Sequence, residues 1–474
     1  MNMPVVHCLR IQFFLASTLV IGLALTGCTT YNEQNRFAEP WLRGDLATAE
    51  KEATRKADKA AGGKDEIIWR LEQAAILRTA GKYEESNRAF DQAQERIDRH
   101  AEEAKVKLGA EAGALFSNQA NAPYRGRGYD GIALNTYRAL NFLAMHDPDK
   151  ARVEIIRAYQ RQQDAVEENR RRIEKTEEAL KADKEKQRIE KAQKDKALQG
   201  TLQQNYAHLD TLQAYADYVN PFTTYLDGLI FLANAVDASD LERARKSFER
   251  AAQFAEKNPF VKADLDSVEA AGRGTLLENV TYVLFENGRA PVRNQVRIDI
   301  PLFFTRLSYL GAAFPTLELR DGQLSALTVT AGGSNSTTAL LASMDSVVAQ
   351  DFKNELPSII TKTIAATVAK GAASYALNEV SNQQGGGLAG VFSQIGTAVY
   401  QLSVNIADLR TWTTLPKEFQ ICRIPTPSDR KVELRSVGSG QNAVVTLDEG
   451  RINLIYVRSV TASGPMFVSQ MKLK

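Results

Sequence analysis

The chain has 474 residues, of which 44% are hydrophobic and 24% charged, a length that allows two or three domains. Its 59 Lys and Arg side chains are almost balanced by 57 Asp and Glu. This near-neutral balance excludes the general basic field that nucleic-acid-binding proteins carry, so we expect no nucleic-acid partner.

The N-terminus predicts a secretory signal peptide over residues 1–27. Arg10 precedes an apolar run from Ile11 to Leu25, and its length of about 15 residues is short for a membrane-spanning helix, which needs roughly 20. The run closes with Leu25-Thr26-Gly27-Cys28, which resembles the lipobox of bacterial lipoproteins. We therefore predict cleavage before Cys28 and acylation of its thiol; the alternative is an ordinary signal peptide with an incidental cysteine.

The predicted lipid anchor determines where the protein is expected to lie. Two or more acyl chains, such as a palmitate beside a diacylglyceryl group, anchor a protein stably, whereas one does not. Residue 29 is Thr, not the Asp that retains enteric lipoproteins in the inner membrane, so the resemblance implies an outer-membrane protein facing the periplasm. Cys8 leaves with the signal peptide and Cys28 is acylated, so Cys422 is left without a disulfide partner.

The mature chain divides near residue 274, and the pattern predicts an α+β protein. Residues 28–273 are rich in Ala, Glu, Lys and Arg, with apolar residues at helical spacing, whereas residues 274–474 alternate as strands do. In the second part we predict a helical insertion over about residues 338–407, formed by Thr338–Leu377 and Leu388–Ala407 around a Gly385-Gly-Gly break.

Repeated offsets in the first half resemble those of tetratricopeptide (TPR) repeats. Gly81, Tyr83, Ser86, Phe90 and Ala93 have the offsets of a TPR turn and second helix. Partial matches to this pattern stand at Gly44, Leu46, Ala49 and Ala53; at Ala151, Ile155 and Ala158; and at Ala244, Phe248 and Ala251. We predict a TPR-like α-solenoid, with an unrelated helical bundle as the alternative.

A charged stretch over about residues 160–200 interrupts these units. Val166, Ile173 and Leu180 lie seven residues apart among charged side chains, which predicts a long helix with a thin apolar seam, one arm of a helical hairpin. We interpret the stretch as a solvated spacer; a partner-binding coiled coil and a disordered linker are the alternatives.

Strand signals begin after a linker at Ala270–Gly274. Thr281–Glu286 leads into Asn287-Gly288, a strong hairpin-turn signal, and Val292–Ile300 is the expected return strand. Further strands are predicted at Leu317–Leu319, Leu324–Thr330, Phe419–Ile424, Lys431–Val437, Ala443–Leu447, Ile452–Val460 and Met466–Met471.

No catalytic or metal-binding motif is evident in the sequence. The four histidines, His7, His100, His146 and His208, have no second ligand at metal spacing, and the motifs of zinc proteases, serine hydrolases and nucleotide-binding loops are missing. Cys422, in the alternating segment FQICRI, is interpreted as structural rather than as a nucleophile. We expect no metal, no cofactor and no enzymatic activity.

Two further features have both a functional and a structural interpretation. Glu278 and Asp299 would lie diagonally across the predicted hairpin as an acid/base pair, but the same register makes Glu278 and Arg297 a simple charge pair.

Ile359–Leu377 and Val391–Val404 are apolar enough to suggest membrane spans. Because Lys362 and Lys370 would lie inside the bilayer, helices packed against the β domain are favoured.

Three sequence segments resemble those of a known protein family, and the resemblance spans most of the mature chain. They begin at Asn220 (NPFTTYLDGL), Phe285 (FENGRAP) and Asp408 (DLRTWTTLP), and they resemble a family of Gram-negative outer-membrane lipoproteins with TPR-like N-terminal halves and β-rich C-terminal domains. The candidate partner-binding or structural residues within them are Tyr225, Gly228, Arg410 and Trp412.

These features predict a membrane-anchored, non-enzymatic scaffold or regulator of an envelope assembly, with envelope proteins as partners; its oligomeric state is left open. Repeat solenoids present surfaces for partners, and a lipid anchor confines the search to one membrane. The alternatives are a subunit of a secretion or surface-fibre apparatus and a peptidoglycan-acting enzyme with its site in the C-terminal domain.

Overall fold

The computed structural model describes residues 38–106, 122–212, 215–304, 308–383 and 407–474. The signal sequence, Cys28 and the helix predicted over Leu388–Ala407, except for Ala407 itself, lie outside the described residues. The described part has helices followed by strands, so the prediction of an α+β protein is confirmed.

Helices make up the first part of the fold after a short helix over residues 38–43. In chain order they are α1 (Leu46–Ala60), α2 (Glu66–Thr79), α3 (Tyr83–Val106), α4 (Gly128–Ala144), α5 (Pro148–Ala182), α6 (Lys186–Gln193), α7 (Lys196–Tyr206), α8 (Pro221–Ala233), α9 (Ala238–Phe254) and α10 (Pro259–Gly272). Consecutive helices from α1 to α5 and from α8 to α10 pack against each other, as in a helical repeat.

The Gly81 motif forms the turn between α2 and α3. Gly81 has a φ of +77°, which favours glycine, and Phe90 and Ala93 are completely buried where α3 meets its neighbours. The hydroxyl of Ser86 donates to the carbonyl of Ala74 across the hairpin at 2.8 Å. The small and aromatic residues of the motif therefore pack as their spacing predicts.

Strands and one long helix make up the second part. They are β1 (Val280–Asn287), β2 (Val292–Pro301), β3 (Tyr309–Glu318), β4 (Leu327–Ala331), β5 (Ser334–Thr337), β6 (Ala339–Ser343), α11 (Met344–Gln383), β7 (Glu418–Pro425), β8 (Lys431–Ser436), β9 (Asn442–Thr446), β10 (Ile452–Ser459) and β11 (Met466–Lys472). They form sheets of order β11-β10-β1-β7-β6 and β5-β4-β8-β9, and a β2–β3 ribbon.

The predicted hairpin between β1 and β2 is wrong. β1 lies in the centre of the five-stranded sheet, parallel to β10 and antiparallel to β7, while β2 pairs with β3. The Asn287 side chain accepts from the backbone of Leu324 and donates to its carbonyl, so the chain turns away from β1 instead of folding back on it. Every β1 residue is buried, as expected of a central strand.

The helical insertion starts later than predicted. Residues 339–343 form β6, which pairs with β7, and the helix begins only at Met344. The segment Ile359–Leu377 lies in α11, where Ile364, Ala365 and Val368 pack into a hydrophobic core with the β2–β3 ribbon. None of the helices in the described part of the chain is long and apolar enough to cross a membrane.

The charged stretch over residues 160–200 packs against the rest of the protein, which corrects its interpretation as a solvated spacer. The proposed seam is wrong at Val166, which is exposed. The buried face instead carries small and polar residues such as Thr176 and Ala179, and the Thr176 hydroxyl lies 2.9 Å from that of Ser358 on α11. After Ala182 the chain continues through the short helices α6 and α7 rather than one returning arm.

One hydrophobic core joins the helical and β-rich parts. The change from helix to strand lies between Gly272 and Val280, close to the predicted boundary. However, residues from both sides of it share the main core, and Phe222 on α8 stacks on Phe419 of β7 with ring centroids 3.8 Å apart. The two halves are therefore packed together rather than only tethered.

Candidate functional site

The segment over residues 407–416 crosses the helices before it enters the five-stranded sheet. Trp412 is fully buried in this segment, with its ring 6.0 Å from that of Phe90 on α3 and 5.8 Å from that of Tyr137 on α4. Its indole N–H donates to the Thr414 hydroxyl at 2.8 Å. The helix surface around Phe90 and Tyr137 is therefore covered by the protein's own chain.

Glu72 of α2 holds this segment in place. Its carboxylate accepts hydrogen bonds from the backbone N–H and hydroxyl of Thr413 and from the backbone N–H of Thr414, at 2.6, 2.7 and 3.1 Å. Burial raises the pKa of Glu72, and the hydrogen bonds from the two threonines partly offset that effect. The carboxylate satisfies donors that would otherwise be buried without an acceptor.

Arg410 ties the same segment to the start of α2. Its guanidinium contacts Asp408 through two nitrogens, at 2.8 and 2.9 Å, and Asp65 through the third, at 2.9 Å. This fork is the geometry in which arginine binds carboxylates most strongly. Arg410 and Trp412 are only 5% and 0% exposed, so both act in packing within the chain.

A buried ion-pair centre lies next to this segment, with Glu355 of α11 in its middle. Three arginines converge on the carboxylate: Arg127 before α4 at 3.1 Å, Arg172 of α5 at 2.8 Å and Arg293 of β2 at 2.6 Å. Burial alone would raise the pKa of Glu355, but the three guanidinium groups hold it well below its usual range. Four elements distant in sequence thus meet at one charged group.

Asp351 lies one helical turn before Glu355 and is also buried. Burial raises the pKa of Asp351, and the neighbouring Glu355 carboxylate raises it further. The packing around it is tight, since a Cβ atom added at Gly128 would lie 2.7 Å from an Asp351 oxygen. Among the described residues, neither Asp351 oxygen has a hydrogen-bond partner.

A second buried carboxylate, Asp264 of α10, lies between α8 and the sheet. The hydroxyls of Tyr225 and Tyr282 each donate to it at 2.7 Å, and Arg423 of β7 lies 3.2 Å away. Burial raises the pKa of Asp264 to about 6, although Arg423 and the two tyrosine hydrogen bonds act in the opposite direction. This arrangement gives Tyr225 a role in fixing α8 and α10 on the sheet.

The fourth candidate residue, Gly228, lies in α8 where this helix crosses α9. A Cβ atom at this position would lie 2.9 Å from two ring carbons of Phe248, a contact that side chains do not tolerate. Tyr225 and Gly228 are both buried, as are Arg410 and Trp412. The structure therefore brings each pair into interior contacts, in two separate places.

The other residues considered from sequence are dispersed. Glu278 pairs with Arg451 at 3.2 Å, and Asp299 lies 3.7 Å from Arg297 on its own strand, so the predicted Glu278–Arg297 pair and the acid/base pair are both wrong. Cys422 is buried in β7, and burial raises the pKa of its thiol. The part of the chain that the structure describes contains no group of three potential metal ligands.

The sequence did not predict the roles of Glu72 and Glu355. Both belong to helical segments, and a glutamate in a helix is usually exposed. One signal was available: Asp351 and Glu355 are like charges at i and i+4, a repulsive arrangement on a helix unless cations face it.

Comparison with protein families, curated proteins and solved structures finds no match for this chain. Membership of the lipoprotein family that the three sequence segments resemble therefore stays a prediction.

Proposed function

We propose that the protein is an acylated lipoprotein of the bacterial envelope that acts as a non-enzymatic scaffold or regulator of an assembly at the outer membrane. The observation that carries this proposal is the sequence Leu25-Thr26-Gly27-Cys28 at the end of the apolar N-terminal run. The lipid would confine the folded part to one membrane surface and raise its effective concentration towards partners there.

The start of the described chain is compatible with such a tether. Nine residues lie between Cys28 and Ala38, and the ten residue steps from one to the other span at most about 35 Å when fully extended. Trp41 is buried under the Arg458 guanidinium, 5.6 Å from its ring, and Gly44 lies against Pro465 before β11. The tether would therefore leave the body beside the β10–β11 connection, close to the membrane.

A partner would have to contact the outer surface of the helices, because residues 407–416 cover the surface around Phe90 and Tyr137. The exposed surface of α5 is the favoured region. Val153, Ile156 and Val166 are 46%, 42% and 47% exposed there, among charged side chains. Val153 and Ile156 are neighbours on the helix surface, and contiguous exposed apolar residues with a polar rim are typical of protein-contact surfaces.

The anchor is tested by metabolic labelling with a clickable palmitate analogue. We expect the wild-type protein to be labelled and Cys28→Ala to lose the label. Cys422→Ser is the matched control because Cys422 is buried in β7, and this variant should keep the label. Equal labelling of wild type and Cys28→Ala would contradict the lipoprotein assignment.

The scaffold role is tested by in vivo photo-crosslinking. A photoreactive residue at Val153, Ile156 or Val166 should give a discrete adduct with an envelope protein, whereas the same residue at Leu276, which is 66% exposed, should not. Adducts missing from all three α5 positions, together with wild-type envelope integrity in a deletion strain, would contradict the role.

A further inference from the structure

One lobe of the protein has its own hydrophobic core. It consists of residues 181–206, the ribbon residues 296–304 and 308–314, and residues 360–376 of α11. Its core is separate from the main one and includes Ile189, Leu198, Ile300, Phe314 and Ile364. The segments of the lobe are therefore packed together as part of the fold and are not loose surface segments.

The lobe is markedly basic although the protein as a whole is not. Its residues include ten Lys and Arg against five Asp and Glu, whereas the entire chain has 59 against 57. The positive excess of the protein is thus concentrated in the lobe, and the remainder is slightly acidic. Five of its lysines are exposed: Lys181, Lys184, Lys191, Lys194 and Lys196.

Aromatic side chains stand among these cations at the end of the β2–β3 ribbon. Phe303 is 37% exposed and Tyr309 is 63% exposed, so both rings reach the solvent. The Lys191 ammonium lies 4.2 Å from the centre of the Phe303 ring. Phe304 beside it stacks on Tyr375, with ring centroids 5.5 Å apart.

We propose that this lobe binds the surface of an anionic lipid bilayer. Lysines are attracted to anionic headgroups while their aliphatic stems reach into the interface, and exposed aromatic rings favour the same depth. This contact goes beyond the proposed function, because it would act without the acyl chains.

The contact is tested with the unacylated chain that begins at Thr29. Trp41 is the first residue of the described cores, so this chain retains the whole described fold. We expect it to sediment with phosphatidylcholine vesicles that contain phosphatidylglycerol but not with vesicles of phosphatidylcholine alone, and salt should weaken the binding. Equal binding to both vesicle types, or to neither, would overturn the proposal.

Matched variants assign the binding to the lobe. Loss of one lysine at an anionic surface weakens binding about fivefold, so the triple variant K191Q/K194Q/K196Q should lose at least tenfold. K51Q/K59Q/K257Q removes the same charge from exposed sites on α1 and before α10 and should lose much less. Equal losses in the two triples would show that only net charge matters and would overturn the assignment.

Two further measurements keep the result interpretable. Unchanged circular dichroism and thermal unfolding of each variant separate loss of binding from loss of folding. Tyr309→Ser, at a highly exposed site, should weaken vesicle binding, and the wild-type chain should bind the vesicles rather than purified peptidoglycan sacculi. Binding to sacculi alone would replace the bilayer with a cell-wall polymer and overturn the proposal, while palmitate labelling at Cys28 would be unaffected.

Discussion

The carboxylate of Glu72 on α2 accepts hydrogen bonds from both the backbone N–H and the hydroxyl of Thr413, which lies 341 residues later in the chain. This contact joins the second helix to the segment that leads into β7. Together with the shared hydrophobic core, it makes the helical and β-rich parts depend on each other. We therefore expect both parts to unfold in one cooperative transition.

Glu72→Ala should strongly destabilise the protein. The substitution leaves the Thr413 N–H and hydroxyl and the Thr414 N–H buried without an acceptor, and each unsatisfied group costs about 1–3 kcal/mol. We expect the free energy of unfolding, measured by urea denaturation with circular dichroism, to fall by about 3 kcal/mol or more. Glu84→Ala, at an exposed position on α3, is the control, and an equal effect of the two substitutions would contradict this role.

The charges around Glu355 should differ in importance according to their burial. Glu355→Gln removes the partner of three arginines, and breaking a buried ion pair from one side costs about 3–5 kcal/mol. Arg293→Gln should cost nearly as much, because Arg293 is 1% exposed, whereas Arg172→Gln should cost less, because Arg172 is 32% exposed. The measurement is again the free energy of unfolding.

The neighbouring Arg170 provides the control for this series. It is 58% exposed and pairs at the surface with Glu167 and Glu174 on its own helix. Such pairs contribute at most about 1 kcal/mol. If Arg170→Gln were as destabilising as Arg293→Gln, the convergence on Glu355 would not be what stabilises this region.

Local patterns predicted much of the fold. The helix spacing, the Gly81 turn and the positions of strands β7 to β11 depend on residues close in sequence, and the structure confirms them. The Asn220-Pro221 start of α8 is of the same kind, since the Asn220 side chain accepts from the backbone of Phe222 at 3.0 Å.

Pairing and burial of polar residues could not be predicted in this way. Asn287-Gly288 has the composition of a hairpin turn. However, β1 pairs with β7 and β10, whose paired residues lie more than 130 positions later in the chain. Burial of Glu72 depends on residue 413, and burial of Glu355 depends on three arginines from separate elements. Such contacts are decided by the tertiary packing, which overrides the local preference of a segment.

Two helical glycines should respond in opposite directions to alanine. Gly228→Ala places a methyl group 2.9 Å from the buried Phe248 ring, so α8 and α9 must separate, and we expect a loss of about 1–3 kcal/mol. Gly200→Ala in α7 meets nothing within 4 Å and should stabilise by up to about 1 kcal/mol, because alanine is the better helix former. Thermal unfolding of the two variants measures both effects, and stabilisation by Gly228→Ala would contradict the close packing.

The Asp264 carboxyl should make stability depend on pH between about 4 and 7. Its pKa of about 6 in the folded protein is above the ordinary value of 3.8, so in this range the folded state holds a proton that the unfolded chain releases. Its contribution is therefore greatest at low pH and is lost as the pH rises through 6.

Asp264→Asn isolates this contribution because the amide does not titrate. The free energy of unfolding of the wild type minus that of Asp264→Asn should be higher at pH 4 than at pH 7, by up to about 3 kcal/mol. Asp266→Asn, at an exposed site on the same helix, is the control and should change stability by less than about 0.5 kcal/mol at both pH values. A difference between wild type and Asp264→Asn that stays constant with pH would show that burial does not hold a proton on Asp264.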